Sequence, residues 1–345
     1  MNFASDNSAG IAPEILAAIV RANEGPALAY GNDALSGQVE RRFAEVFGCD
    51  LAVALVPTGT AANALALAHL SPPWGAVLCH ADAHIATDEC GAPEFYGGGL
   101  KLVGLAGAAG KVEPETLERM LAQGEWGGPH HVTPTVLSLT QATEAGTIYR
   151  PDELRRLADI AHRHGLVVHV DGARFANALA RLGVPAAAAS WRCGVDVLSL
   201  GATKGGALAA EAVVLFDPAR IGGLPERRKR AGQLVSKHRF LAAQFEAYFA
   251  DDLWLRLARH ANAMADLLAA RLAAAGLVPV WPVEANEVFV ALPQRLHEKL
   301  QQAGASYYAW KAGPQPAGGV LVRLVTSFAT RPEEIERFAE IAAPG

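Results

Sequence analysis

Seven short runs of aliphatic and β-branched residues, most of them apolar on both faces, recur through the first two thirds of the chain, with helical stretches between them. They span 51–56, 76–79, 101–105, 135–139, 166–170, 195–200 and 212–216. A strand that is apolar on both faces has no side to offer to water, so it must lie between two layers of helix. Strands alternating with helices predict an α/β domain around a seven-stranded, mostly parallel sheet. Beyond residue 217 the pattern changes. Arg227-Arg228-Lys229-Arg230 reads as a solvated helix face. A helix follows over 253–275, with apolar residues at spacings of three and four, and Gly276 ends it. A strand over 288–292, a helix over 295–302, a strand over 320–325 and a helix over 332–342 complete the chain. The expected organisation is a large domain over 1–245 and a small C-terminal α+β domain over 246–345.

Several function classes are disfavoured at once. A net charge of −5 leaves no basic surplus to engage a phosphate backbone, so no nucleic-acid partner is expected. No stretch offers the roughly 20 continuous apolar residues of a membrane helix. Cys49, Cys79, Cys90 and Cys193 form no C-x-x-C pair and no zinc-type cluster, so no metal site is expected and the thiols suit a reducing compartment. The first residues lack the basic and apolar regions of a signal peptide, which makes a cytoplasmic protein the expectation. No G-x-G-x-x-G follows the first strand, and Gly97-Gly98-Gly99 is a turn signal, so a dinucleotide-dependent dehydrogenase is not expected.

Four motifs carry chemistry. Asp171, in Val170-Asp171-Gly172-Ala173-Arg174, ends an apolar strand, where ligands of open α/β sheets bind. A helix cap accounts equally well for Asp171 alone. Lys204 stands among small residues in Ser199-Leu200-Gly201-Ala202-Thr203-Lys204-Gly205-Gly206, with no local carboxylate. Such an amine is readily desolvated into a Schiff-base nucleophile, although a lone Lys-Gly-Gly also fits a surface loop. Pro57-Thr58-Gly59-Thr60 links a strand to a helix, and backbone amides at a helix start favour phosphate. Gly59 leaves room for close approach, and the Lys-Ser/Thr ending of a Walker A loop is absent. His84, in Ala81-Asp82-Ala83-His84-Ile85, is a ring at a strand's end that can stack on a flat cofactor, although a single loop histidine is more often structural. Taken together, a phosphate cup, a stacking ring, an acid for a pyridine nitrogen and a lysine for an aldehyde are the parts of a pyridoxal 5′-phosphate site.

This set resembles the low-specificity L-threonine aldolases of the β-eliminating lyase group, pyridoxal-phosphate enzymes of the aspartate-aminotransferase fold (fold type I). The resemblance extends over nearly the whole chain. It includes Ser5-Asp6, Tyr30-Gly31-Asn32-Asp33, His169-Val170-Asp171-Gly172-Ala173-Arg174, Lys204-Gly205 and Val322-Arg323-Leu324-Val325-Thr326. It implies cleavage of L-threonine, L-allo-threonine or related β-hydroxy-α-amino acids such as L-phenylserine to glycine and an aldehyde, by retro-aldol scission of Cα–Cβ. By the same resemblance Lys204 forms the Schiff base, Asp171 pairs with the pyridine nitrogen, and Arg174 lies beside cofactor and substrate. Thr58, Gly59 and Thr60 hold the phosphate, and His84 stacks on the ring and is the first candidate base. Ser5 and Arg323 bind the substrate carboxylate. Tyr30 and Asp33 resemble residues that a neighbouring subunit brings toward the site, which implies a homo-oligomer, at least a dimer and commonly a tetramer. Two departures stand out. Gln141 lies where many members have Asn-Thr-His and is expected to bond cofactor or substrate, and Lys237 replaces an arginine that reaches the phosphate. A β-eliminating lyase on the same fold is the alternative reading, and a non-catalytic cofactor-binding protein a distant one.

Overall fold

The computed structural model describes residues 1–343. Seven strands form one sheet: β1 (Ala52–Val56), β2 (Gly75–His80), β3 (Lys101–Leu105), β4 (Thr133–Thr140), β5 (Val167–Gly172), β6 (Val197–Gly201) and β7 (Glu211–Leu215). Their order is β1-β7-β6-β5-β4-β2-β3, and only β7 runs against its neighbours. Every expected strand is present, with each end within two residues of the expected bound.

The pleat divides the side chains between two apolar layers. Leu137, Leu198 and Leu200 enter the largest core, beside Phe43, Phe47 and Phe175, whereas Val136 and Val197 point into cores on the opposite face. The helix Gly59–Leu70 is buried continuously from Ala61 to Ala68. Its run of alanines explains this, because small side chains let a helix lie close to the sheet while covered from outside.

A second sheet holds β8 (Glu287–Pro293), β9 (Tyr308–Ala309) and β10 (Gly319–Val325), antiparallel in the order β8-β10-β9. The helices Leu253–Ala274, Gln294–Gln302 and Pro332–Ala342 accompany it. The expected division at residue 245 is crossed in both directions. Phe3 is buried in the second core with Leu268, Val322 and Phe338, and Asn2 bridges to Ser306. Conversely, Trp254 and Ala258 of the long helix belong to the first core.

The basic cluster on helix Leu224–Arg230 is not wholly solvated, which corrects the sequence expectation. Arg228 turns inward, and its Nη1 donates to the Leu55 carbonyl at 3.1 Å. The cause is the sheet edge: β1 pairs only with β7, so carbonyls on its outer side need partners from elsewhere.

Candidate active site

A cavity of about 1170 Å³ opens at the carboxyl ends of the parallel strands, where open α/β sheets bind ligands. Its wall includes Ser5, Thr58, Gly59, Thr60, His84, Asp171, Arg174, Lys204 and Arg323, so the structure brings most of the sequence-predicted site residues together.

Asp171 stands one residue from the end of β5 and is 4% exposed. Its Oδ1 accepts the Ala173 N–H at 3.0 Å, and its Oδ2 accepts from Asn63 Nδ2 at 2.8 Å. The turn-capping bond thus uses one oxygen and the bond to Asn63 the other. Lys204 follows β6 and makes no ion pair with any described residue. Two glycines set its approach. A Cβ on Gly201 would fall 2.8 Å from the Ala173 backbone, and one on Gly205 would collide with the Tyr248 hydroxyl. Thr58 caps the helix that begins at Gly59, its Oγ1 accepting the Ala61 N–H at 3.1 Å. The Gly59 and Thr60 amides, at the helix start, have no intrahelical acceptor and point their positive end at the cavity.

His84 opens the short helix His84–Thr87. Its N–H donates to Glu144 Oε1 at 2.8 Å, and its ring Nδ1 lies 2.9 Å from Glu89 Oε1. That second bond raises the ring's pKa above the ordinary histidine value. Glu89 also accepts from Asn63 Nδ2 at 2.9 Å, so one amide nitrogen serves both Glu89 and Asp171. Burial pushes the Glu89 carboxyl up and that of Glu144 up to about 7. Facing atoms of His84, Glu89 and Asp171 lie within 4.8 Å of one another, a spacing that would suit a cation, but the ring and the Asn63 amide already join them.

Arg174 is buried and forks onto Asp6 through Nε at 2.8 Å and Nη2 at 3.1 Å. Its Nη1 lies 3.4 Å from Glu287. Burial pushes the Asp6 carboxyl up, but Arg174 overrides this and holds it below the usual range. Arg323 stacks on Trp310 at 4.7 Å and sits 3.7 Å from the other Glu287 oxygen. Two guanidinium groups thus share one buried carboxylate at the mouth of the large domain.

Four expected residues do not line this cavity. Gln141 is fully buried, with Nε2 donating to the Tyr149 carbonyl and Oε1 accepting the Tyr149 N–H, both at 2.9 Å. A buried amide must find partners at both its ends, and here the loop backbone supplies them, away from the cavity wall. Lys237 is exposed. Tyr30 is 46% exposed with φ of 59°, and Asp33 caps the helix Ala34–Phe47. Tyr30, Asp33 and the 228–238 segment meet each other instead: the Tyr30 N–H donates to the Ser236 carbonyl at 2.9 Å, and Lys229 lies over the Tyr30 ring.

Sequence reasoning missed Asn63, Glu89, Glu144, Glu211 and Glu287 as site residues. A usable signal existed for the last two, since each is a charged residue heading an apolar strand. The assembled donor set fits pyridoxal 5′-phosphate. An unpaired amine, an acid with a fixed orientation, a flat ring and a helix start without a blocking Cβ all face one space.

The chain is similar to known proteins over nearly its whole length. Residues 2–295 match the Beta-eliminating lyase family. The chain is 43% identical over 341 residues to a low specificity L-threonine aldolase of Pseudomonas aeruginosa, covering 99% of this chain and 95% of that protein. It is 41% identical over 309 residues to a low specificity L-threonine aldolase of a Pseudomonas species, covering 89% of each. Among solved structures, a threonine aldolase of Leishmania major superposes with a TM-score of 0.92 at 31% identity, over 99% of this chain and 98% of that one. A serine palmitoyltransferase of Sphingomonas wittichii, at 17% identity and a TM-score of 0.73 over 99% and 86% of the two chains, shares the fold.

Proposed function

The chain belongs to the β-eliminating lyase family, and from that membership we propose that it is a pyridoxal-phosphate-dependent aldolase that cleaves L-threonine and related β-hydroxy-α-amino acids to glycine and an aldehyde. The observation that carries this reading is the convergence of Lys204, Asp171 and the Gly59–Thr60 amides on one cavity of a chain so similar to low specificity L-threonine aldolases.

When bound, pyridoxal 5′-phosphate supplies an aldehyde that captures amines and a ring that accepts the electron pair of the breaking Cα–Cβ bond. Lys204 would hold the cofactor's aldehyde carbon through its ε-amine. Asp171, its carboxylate directed by Asn63 and the Ala173 amide, would accept a hydrogen bond from the protonated pyridine nitrogen and keep that nitrogen charged. The Gly59 and Thr60 amides hold the phosphate. Arg323, with Ser5 and Arg174 on the same cavity wall, would bind and orient the substrate carboxylate. His84, on the cavity wall, would lie against the cofactor's ring. Glu89 occupies its Nδ1, which leaves Nε2 as the acceptor for the β-hydroxyl proton as the bond breaks.

A homo-oligomer, at least a dimer and by our reading a tetramer, completes the site, with Tyr30, Asp33 and Lys237 offered to a neighbouring copy's cavity. Cytoplasmic residence is part of the same proposal; no described helix is long and apolar enough to cross a membrane.

Incubation with L-threonine, L-allo-threonine and L-phenylserine, with and without added cofactor, tests the activity. Glycine plus the matching aldehyde is the expected outcome, and ammonia plus a keto acid would instead make the chain a β-eliminating lyase. Lys204→Ala should lose both the coloured cofactor adduct and the turnover; unaltered turnover would remove Lys204 from its role.

A further inference from the structure

We propose that Glu211 takes up a proton from solvent when the cofactor's phosphate binds, so that the chain's affinity for the cofactor falls as pH rises. This rests on the cofactor reading given above. Glu211 heads β7, and β7 lies between β1 and β6. Its register partners are Val56, which leads into Thr58-Gly59-Thr60, and Gly201, which leads into Lys204. The side chain therefore stands between the phosphate cup and the lysine turn.

Its carboxyl lines the cavity although the residue is only 6% exposed. Oε1 accepts the Thr203 N–H at 3.3 Å. Oε2 lies 4.0 Å from the point where a Cβ on Gly59 would stand, so it faces the start of that helix. No described Lys, Arg or His nitrogen forms an ion pair with it. Three titratable groups surround it. Lys204 favours its charge, Asp171 opposes it, and the buried Tyr248 hydroxyl on helix Arg239–Phe249 has no hydrogen-bond partner of its own.

Without cofactor, the Glu211 carboxylate is the anion that answers the helix start. A phosphate dianion seated on the same amides puts two negative groups into one poorly solvated cup, and the interaction between them is repulsive. Protonation resolves the conflict: one carboxylate oxygen gains H⁺ from the medium, no other bond changes, and the new O–H donates to an oxygen nearby. Burial already pushes this carboxyl up to about 7, so the group is poised to change state in the working range. The phosphate's own second ionisation, at a pKa of about 6, is complete at pH 8 and does not mask the uptake.

Calorimetric titration of the cofactor-free full chain with pyridoxal 5′-phosphate at pH 8, in two buffers of different ionisation enthalpy, counts the protons. The wild-type chain should take up about one proton more than Glu211→Gln, and its Kd should weaken by about tenfold per pH unit above pH 7 relative to that variant. Equal uptake and parallel pH curves would overturn the proposal. Should the variant fail to fold, wild-type chain titrated with pyridoxal, which has the aldehyde but no phosphate, gives the same contrast: about one proton fewer is expected, and equal uptake for both ligands overturns it. A wild-type chain that binds neither aldehyde removes the cofactor reading itself, and this proposal with it.

Discussion

Asn63 gives both hydrogens of one amide nitrogen to two carboxylates, Glu89 and Asp171, and thereby ties His84 to Asp171 through Glu89. The consequence is testable at His84. Its raised pKa comes first from the Glu89 bond, so Glu89→Gln, which keeps an acceptor but removes the charge, should move the His84 midpoint downward in an NMR titration of the ring. The acid limb of the rate profile, where protonated His84 can no longer accept, should move to lower pH with it; an unmoved midpoint would mean that Glu89 only fills space. Asp171, Lys204, Thr58 and His84 were legible in the sequence because each ends or follows an apolar run and carries its meaning locally. Glu89 was not, because only the fold carries Asn63 to it. Gln141 misled for the converse reason: a polar residue after a strand looks available until its neighbours in space take both its ends.

Strands rather than single side chains decide how close Lys204 comes to Asp171. Gly201 ends β6 against the Ala173 backbone, which cannot swing aside as a flexible side chain would. Gly201→Ala should therefore cost about 1–3 kcal/mol of stability, read by denaturant melting, and weaken cofactor binding with it. The three central strands are also stitched by His169, whose ring bonds Ser138 on β4 and Ser199 on β6, both at 2.9 Å. Burial pushes this histidine from 6.5 down to about 4. Between those values the unfolded chain binds a proton that the folded chain refuses, so the stability present above pH 6.5 is lost as pH falls through this window, by about 3 kcal/mol for this group. Burial lowers His238 to about 4 as well, so His169→Gln should flatten the acid loss of stability without abolishing it. The seven strands of the main sheet were readable because burial on both faces demands an apolar run. The two-residue β9 was not, since both its residues are exposed and such a short strand has no period to detect.

At the scale of the molecule, the cluster of Asp6, Arg174, Glu287 and Arg323 joins the first residues of the sequence, the turn after β5 and the paired strands β8 and β10 of the second sheet. Two halves that look separable in sequence share buried contacts here, which composition alone does not carry. Phe3 is the anchor, fully buried and edge-on to Phe338 at 5.4 Å. Phe3→Ala should cost about 3–5 kcal/mol in a denaturant melt. Because Ser5 and Asp6 follow that anchor directly, the same variant should raise KM for the amino-acid substrate more than it lowers kcat. This arrangement also orders events during synthesis. At roughly 5–20 residues per second, the segment bearing Phe3 leaves the ribosome many seconds before β10 and the helix Pro332–Ala342 exist to receive it. The nascent chain must keep an aromatic side chain and its neighbouring aspartate in waiting until those two elements have been made.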